Sequence, residues 1–289
     1  MARVRLPSAP PGALLIAPPA IYAFALLALP LAGVVALSFL TQDGLVIDTS
    51  PTLANYGEAA GGAIYRQLLV RSLGIAAAVT AVTVILAFPI AYFVSFHVAD
   101  RRKSLWLFLI TIPFWTSYLI RVFLWKVILG FNGVVNETLM NLGLISEPIQ
   151  AILYNPTAVV VTLAHAFAPF AILPIFVSLE KIDRSLLEAS RDLGEGAGRT
   201  FLRVTLPLAM PGVTASALIV FIPVIGDYVT PRLVGGPGGL MIANMIQTQF
   251  LRLNNAPLGA ALAVISMASV ALIALGFVAL TRRLARGTG

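Results

Sequence analysis

The stretch Phe221-Ile-Pro-Val-Ile-Gly-Asp-Tyr228 ends a long apolar run on an acid followed at once by an aromatic ring. A charge at the depth of such a run is costly, so Asp227 is a functional candidate on that ground alone. An anion beside the Tyr228 ring suits an amine cation, through charge attraction and cation–π contact. A structural ion pair with Arg121 or Arg232 explains the same acid equally well. Arg121 itself stands in another apolar run with Trp115, Tyr118, Trp125 and Lys126 around it. There, aromatic rings and a snorkelling Lys126 fit an outer membrane interface, while Arg121 lies about two turns further in. The candidate pathway residues are therefore Asp227, Tyr228, Arg121, Trp115 and Tyr118.

Other chemistry is poorly provided for. A phosphate-cradling GxxxxGK[ST] loop needs a lysine after a glycine, and Lys103, Lys126 and Lys181 are the only lysines, none so placed. ATP, if used, is bound by another chain. His97 and His165 are the only histidines and form no HExxH pair, so neither a catalytic nor a metal centre is expected. His165 reads as a hydrogen-bonding group between helices, and His97 as an interfacial residue. There is no cysteine, which removes disulfide and thiolate chemistry.

The elements that position these groups follow from composition. Hydrophobic residues make up 59% and charged residues 11%, against about 25% charged in a soluble domain. That is too little polar surface to wrap a soluble core of 289 residues, so the solvent is lipid. A span of about 20 uncharged residues crosses the hydrocarbon. Six segments answer, at about 14–40, 72–96, 105–128, 158–179, 211–230 and 258–280, the third carrying Arg121 and Lys126 in its last third and the fifth reaching Asp227. Runs this long form helices rather than short barrel strands. The expectation is an all-α polytopic protein, one transmembrane domain over 1–289. The first run is too long for the core of a cleaved signal peptide and reads as a retained span. Pro18, Pro19, Pro30, Pro89, Pro113, Pro169, Pro174 and Pro223 are expected to bend spans and free carbonyls.

Orientation follows from the basic residues. Arg3 and Arg5, the loop Arg101-Arg102-Lys103, the loop with Lys181, Arg184, Arg191, Arg199 and Arg203, and Arg282, Arg283 and Arg286 hold 13 of the 19. Short loops rich in Lys and Arg stay cytoplasmic, so both termini and the loop 180–207 are placed there. The charges fall in clusters beside apolar runs, not in one stripe, so the net charge of +7 does not point to nucleic acid.

Loop 180–207 is polar between two apolar runs. Ser185-Leu-Leu-Glu188 is a capping-box pattern that predicts a helix start, and Gly194 a stop. Leu186, Ala189, Ser190 and Leu193 share one helical face. A second short helix is expected over 199–204, with Pro207 closing the segment. Helices this short need a surface to lie against. The loop from Glu180 to Arg203 balances five bases with five acids, which favours a protein partner over a lipid surface.

Glu-Ala-Ser-Arg-Asp-Leu-Gly194, nine further residues, and Val-Thr-Leu-Pro207 together resemble the cytoplasmic loop of binding-protein-dependent ABC importer permeases. In that motif Glu-Ala-Ala precedes a glycine after three intervening residues, and Ile-x-Leu-Pro follows downstream. Glu188, Ala189, Gly194, Leu206 and Pro207 match, while Ser190 and Val204 are small departures. The segments 113–136, 221–236 and 241–250 resemble, more narrowly, the first permease subunit of spermidine/putrescine importers. The resemblance implies the type I ABC importer permease fold in a bacterial inner membrane. It also implies a second permease subunit, a cytoplasmic ABC ATPase dimer that receives the loop and binds ATP, an extracytoplasmic solute-binding protein, and no cofactor on this chain. A polyamine-like solute is implied less directly, with an opine or amino-acid derivative as the alternative. Two other classes remain open. A secondary transporter would need ion-coupling carboxylates and an inverted repeat, neither of which is visible. A membrane scaffold would leave the loop unexplained.

Overall fold

A computed structural model describes residues 13–44 and 46–286; Arg3 and Arg5 lie outside the described residues. The chain opens with α1 (Ala13–Ser38), followed by a small antiparallel hairpin of β1 (Thr41–Asp43) and β2 (Val46–Asp48), in which Gln42 faces Ile47. Next come α2 (Ala54–Gly61), α3 (Ala63–His97), α4 (Asp100–Thr111), α5 (Tyr118–Ile128), α6 (Val134–Asn141) and α7 (Pro156–Glu180). The loop helices α8 (Arg184–Asp192) and α9 (Ala197–Thr200) lead into α10 (Leu206–Ile225). Three short helices, α11 (Val229–Val234), α12 (Gly236–Gly239) and α13 (Ile242–Leu251), precede α14 (Ala256–Arg286).

Five helices among the described residues are long and apolar enough to cross a membrane, and a bent pair makes a sixth span. That pair is the third span. It does not run straight over 105–128: α4 and a 3-10 turn at Ile112–Trp115 meet α5 at 84°. Thr116 and Ser117 are extended at ψ 147° and 136°, so the helical bonding stops there. The fifth span ends at Ile225 rather than 230, and Asp227 and Tyr228 start the stretch of short helices that follows.

The core is the packing of α3, α7 and α10. On α3, Leu68, Ser72, Ile75, Ala76, Val79, Thr83, Ala87, Ala91 and Val94 are buried, spaced three or four apart along one face. Lipid supplies no hydrophobic drive between helices, so small residues and close backbone approach do the work. Gly212 of α10 shows how close this is: a Cβ there would stand 2.5 Å from the Pro174 carbonyl oxygen and from Ser178 Cβ on α7. The Gly212 N–H donates to Ser178 Oγ at 3.1 Å, and Ser216 Oγ donates to the Ala171 carbonyl at 2.8 Å. Helix α1 packs mainly along α14 and leaves most of its apolar surface exposed. Helix α13 is pinned to α3 by the bond from Ile242 N to Ser72 Oγ at 2.7 Å.

Candidate functional site

Two groups of candidate residues lie at opposite ends of α10. At the loop end, the cap of α8 differs from the expected box. Asp183, not Ser185, precedes the helix, and its carboxylate accepts the Ser185 N–H at 3.0 Å. An acid two residues upstream of the expected box satisfies the first free donor itself. Its carboxyl is held below the usual carboxylate range by that backbone bond and by the Ser185 side chain. Glu188 is exposed and has no hydrogen bond or ion pair among the described residues.

The helix ends where Gly194 takes φ +85°, a conformation that costs a side-chain-bearing residue. Gly194 N–H bonds the Arg191 carbonyl at 2.8 Å and Glu195 N–H bonds the Ser190 carbonyl at 3.1 Å, the paired closure of a Schellman turn. The expected common face of Leu186, Ala189, Ser190 and Leu193 divides. Ser190 is buried with its hydroxyl 3.0 Å from that of Thr200, tying α8 to α9, whereas Leu186, Ala189 and Leu193 are exposed. Leu193 is 85% exposed and Leu202 61%, so an apolar surface stands open on the loop.

The second short helix does not end before Pro207. Helix continues without a stop from Ala197 to Ile225, through a π turn at Phe201–Thr205. Pro207 sits in the first turn of α10, and just ahead of it the Leu206 N–H donates to the Phe201 carbonyl across the wider spacing of the π turn. Val204, Leu206 and Pro207 are thus half-buried parts of a span root rather than of a separate loop helix.

At the other end of α10, Asp227 is engaged locally. Its Oδ1 accepts the Val229 N–H at 2.9 Å and the Thr230 N–H at 3.3 Å, opening α11. Its Oδ2 accepts the Tyr118 hydroxyl at 2.6 Å, and that hydroxyl also lies 2.6 Å from Thr230 Oγ1. Neither Arg121 nor Arg232 forms an ion pair with it among the described residues; Arg232 donates to Gln247 instead. Arg121 is buried, its guanidinium 4.9 Å from the Phe114 ring centre and 5.9 Å from that of Tyr118. It donates to the Ala166 carbonyl at 3.4 Å, and its Nε has no hydrogen-bond partner among the described residues.

Tyr118 therefore stands between the cation and the anion. Tyr228 is 43% exposed, and its carbonyl accepts Asn244 Nδ2 at 2.8 Å. Trp115 is 80% exposed, touching Phe108 edge-on, and takes no part in the Tyr118 cluster. His165 accepts from Trp125 Nε1 at 3.1 Å, a bond between α7 and α5. Sequence reasoning missed Thr230, Asn244 and Thr200; none is charged, and each acts on a residue far off in sequence or in an unanticipated turn. No cluster of potential metal ligands is found among the described residues.

Residues 87–286 match the family described as the binding-protein-dependent transport system inner membrane component. The chain is 38% identical over 234 residues to PotB, the spermidine/putrescine transport system permease protein of Escherichia coli strain K12, covering 81% of this chain and 84% of that one. It is 35% identical to YdcU, an inner membrane ABC transporter permease protein of the same organism, covering 81% and 78%. In fold it is similar to a chain of a bacterial ABC transporter that imports the acidic polysaccharide alginate, with a TM-score of 0.70 at 17% identity over 94% of this chain and 96% of that one.

Proposed function

This chain belongs to the family of binding-protein-dependent transport system inner membrane components, and from that premise we propose that it forms half of a pathway for a polyamine-like solute. It is a permease subunit of an ABC importer and a multi-pass inner-membrane protein. The observation that carries the solute is the 38% identity to a spermidine/putrescine permease over four-fifths of the chain. A second permease subunit completes the pathway, a binding protein delivers solute from outside, and both termini face the cytoplasm. ATP is bound and hydrolysed by a cytoplasmic ATPase dimer, and this chain carries no cofactor of its own.

The geometry suits those roles. Loop 180–207 offers the ATPase exposed Leu186, Leu193 and Leu202 on helices fixed by the Asp183 cap, the Gly194 turn and the Ser190–Thr200 bond. At the far end of α10, the part-exposed Asp227 carboxylate beside Tyr228 provides an anion and a ring face for an ammonium group. Arg121 favours a second reading, an amino-acid derivative, because a guanidinium with no ion pair among the described residues and a carboxylate flank one tyrosine.

The test is uptake of labelled spermidine by vesicles carrying the whole complex, competed with an amino-acid derivative. No uptake of labelled spermidine, with uptake of the labelled amino-acid derivative in its place, would select the second reading. For coupling, Gly194→Phe forces a bulky residue to φ +85°, and is expected to leave the chain in the membrane while ATPase association and uptake are lost. Solute-stimulated hydrolysis at the wild-type level in that variant would remove the docking role.

A further inference from the structure

Four helix ends meet at the root of loop 180–207, through side chains that the proposed function does not use. Glu180 is the last residue of α7, and its Oε1 accepts Ser95 Oγ from the end of α3 at 2.6 Å. Lys103, in the first turns of α4, donates to Glu180 Oε1 at 2.8 Å and Oε2 at 3.0 Å. Lys103 also lies 2.9 Å from Asp100 on its own helix, but that side chain is 89% exposed and water screens it. Arg184, the first residue of α8, donates to the Ser95 carbonyl at 3.3 Å, with its guanidinium 6.0 Å from the Phe96 ring centre.

The placement of the two main charges is unusual. A carboxylate at a helix C-terminus and an ammonium near a helix N-terminus each oppose the helix dipole. Glu180 and Lys103 are so placed, and Lys103 is 7% exposed. Neither charge is favoured by its own helix; the buried Lys103 is tolerated because of Glu180, whose side chain is 33% exposed, and removing Glu180 leaves the ammonium without its main counter-charge. Helix stability does not explain the pair, whereas a specific join between α4 and α7 does. That join has a destination: α4 runs through the bend at Thr116–Ser117 into α5, where Tyr118 bonds Asp227.

We propose that Lys103 and Glu180 are positioning residues for energy coupling. They fasten the start of the bent span to the root of the loop, so that displacement of α8 carries α4 with it. The pair touches neither solute nor nucleotide. The proposal rests on the docking of loop 180–207 against an ATPase, and the two fail differently. Loss of docking shows as loss of ATPase association, whereas loss of the join shows as hydrolysis without uptake.

The experiment compares Lys103→Met, Glu180→Gln and the charge-keeping Lys103→Arg in the whole complex reconstituted with its binding protein, reading solute taken up per ATP hydrolysed. Lys103→Met and Glu180→Gln are expected to co-purify with the ATPase and hydrolyse ATP at or above the wild-type rate. Uptake per ATP should fall about tenfold or more, and Lys103→Arg should restore most of it. An unchanged ratio in Lys103→Met and Glu180→Gln overturns the proposal. So does a parallel fall of hydrolysis and uptake, a Lys103→Arg variant as defective as Lys103→Met, or failure of both neutral variants to assemble, since each marks the pair as structural only.

Discussion

Replacing Asp227 by Asn keeps the shape and removes the charge, and the cost can be worked from its three bonds. Oδ1 would still accept from Val229 and Thr230. The amide N–H would donate to the Tyr118 oxygen, while Tyr118 donates to Thr230 Oγ1 at 2.6 Å. No partner is orphaned. Exchanging charged for neutral hydrogen bonds costs about 1 kcal/mol each, or roughly 1–3 kcal/mol in all. The effect on an arriving ammonium is of a different kind. Two unit charges about 4 Å apart near a protein surface attract by about 4 kcal/mol, and if desolvation cancels more than half of this, about tenfold in apparent affinity remains.

Asp227→Asn should therefore lower the thermal midpoint of the purified complex by only a few degrees, about what 1–3 kcal/mol amounts to in a chain of this size. Uptake of labelled putrescine at low concentration should fall about tenfold or more. Tyr118→Phe keeps the carboxylate and should leave uptake within a few-fold of wild type. The exchange Arg121→Asp with Asp227→Arg should rescue nothing, because the two side chains are not paired. Wild-type uptake by Asp227→Asn would refute the waypoint, and full rescue by the exchange would refute the geometry behind it.

The cap of α8 predicts a pH dependence. Asp183 has its carboxyl lowered in the folded state, so its contribution is present above the ordinary value near 3.8 and is lost as pH falls through the lower folded value. Amide exchange across 184–192, corrected for intrinsic rates, should show α8 losing protection in acid, and Asp183→Asn should abolish that dependence; equal pH profiles in the two proteins would contradict the cap. For orientation, labels at Arg102 and Gly196 should react only from the cytoplasm, and labels at Gly61, Asn141 and Gly238 only from outside; one reversed site would break the assignment of sides.

What the sequence made legible was governed by the range of the forces involved. Long uncharged runs set α3, α7, α10 and α14 because the cost of placing charge in lipid acts residue by residue. The bend in the third span was legible only in part: Pro113 is among the prolines expected to bend spans and sits in the 3-10 turn there, but the 84° angle and the extended pair Thr116–Ser117 have no signature of their own in the sequence. Ser185 and Asp183 are both good capping residues, and only the path of the chain out of α7 decides that Asp183 caps. Pro207 reads as a stop by propensity, yet a first-turn proline costs little once a π turn precedes it. The ion pair with Arg121 or Arg232 that stood as the alternative reading of Asp227 is not formed, because the carboxylate is filled by Val229, Thr230 and Tyr118, and a bond from Tyr118 across 109 residues leaves no mark in a single sequence.

The unbroken helix from Ala197 to Ile225 also has a mechanical meaning. Its 29 residues make a rod about 43 Å long. Gly212, pressed against Pro174 of α7, divides it into arms of about 22 Å and about 20 Å. A rod pivoting at that contact moves its two tips in opposite directions, and a tilt of about 10° shifts each by nearly 4 Å, roughly the width of a methylene chain. A tilt about that contact that drew the Arg199 end inward would carry the Gly226 end outward by a similar distance.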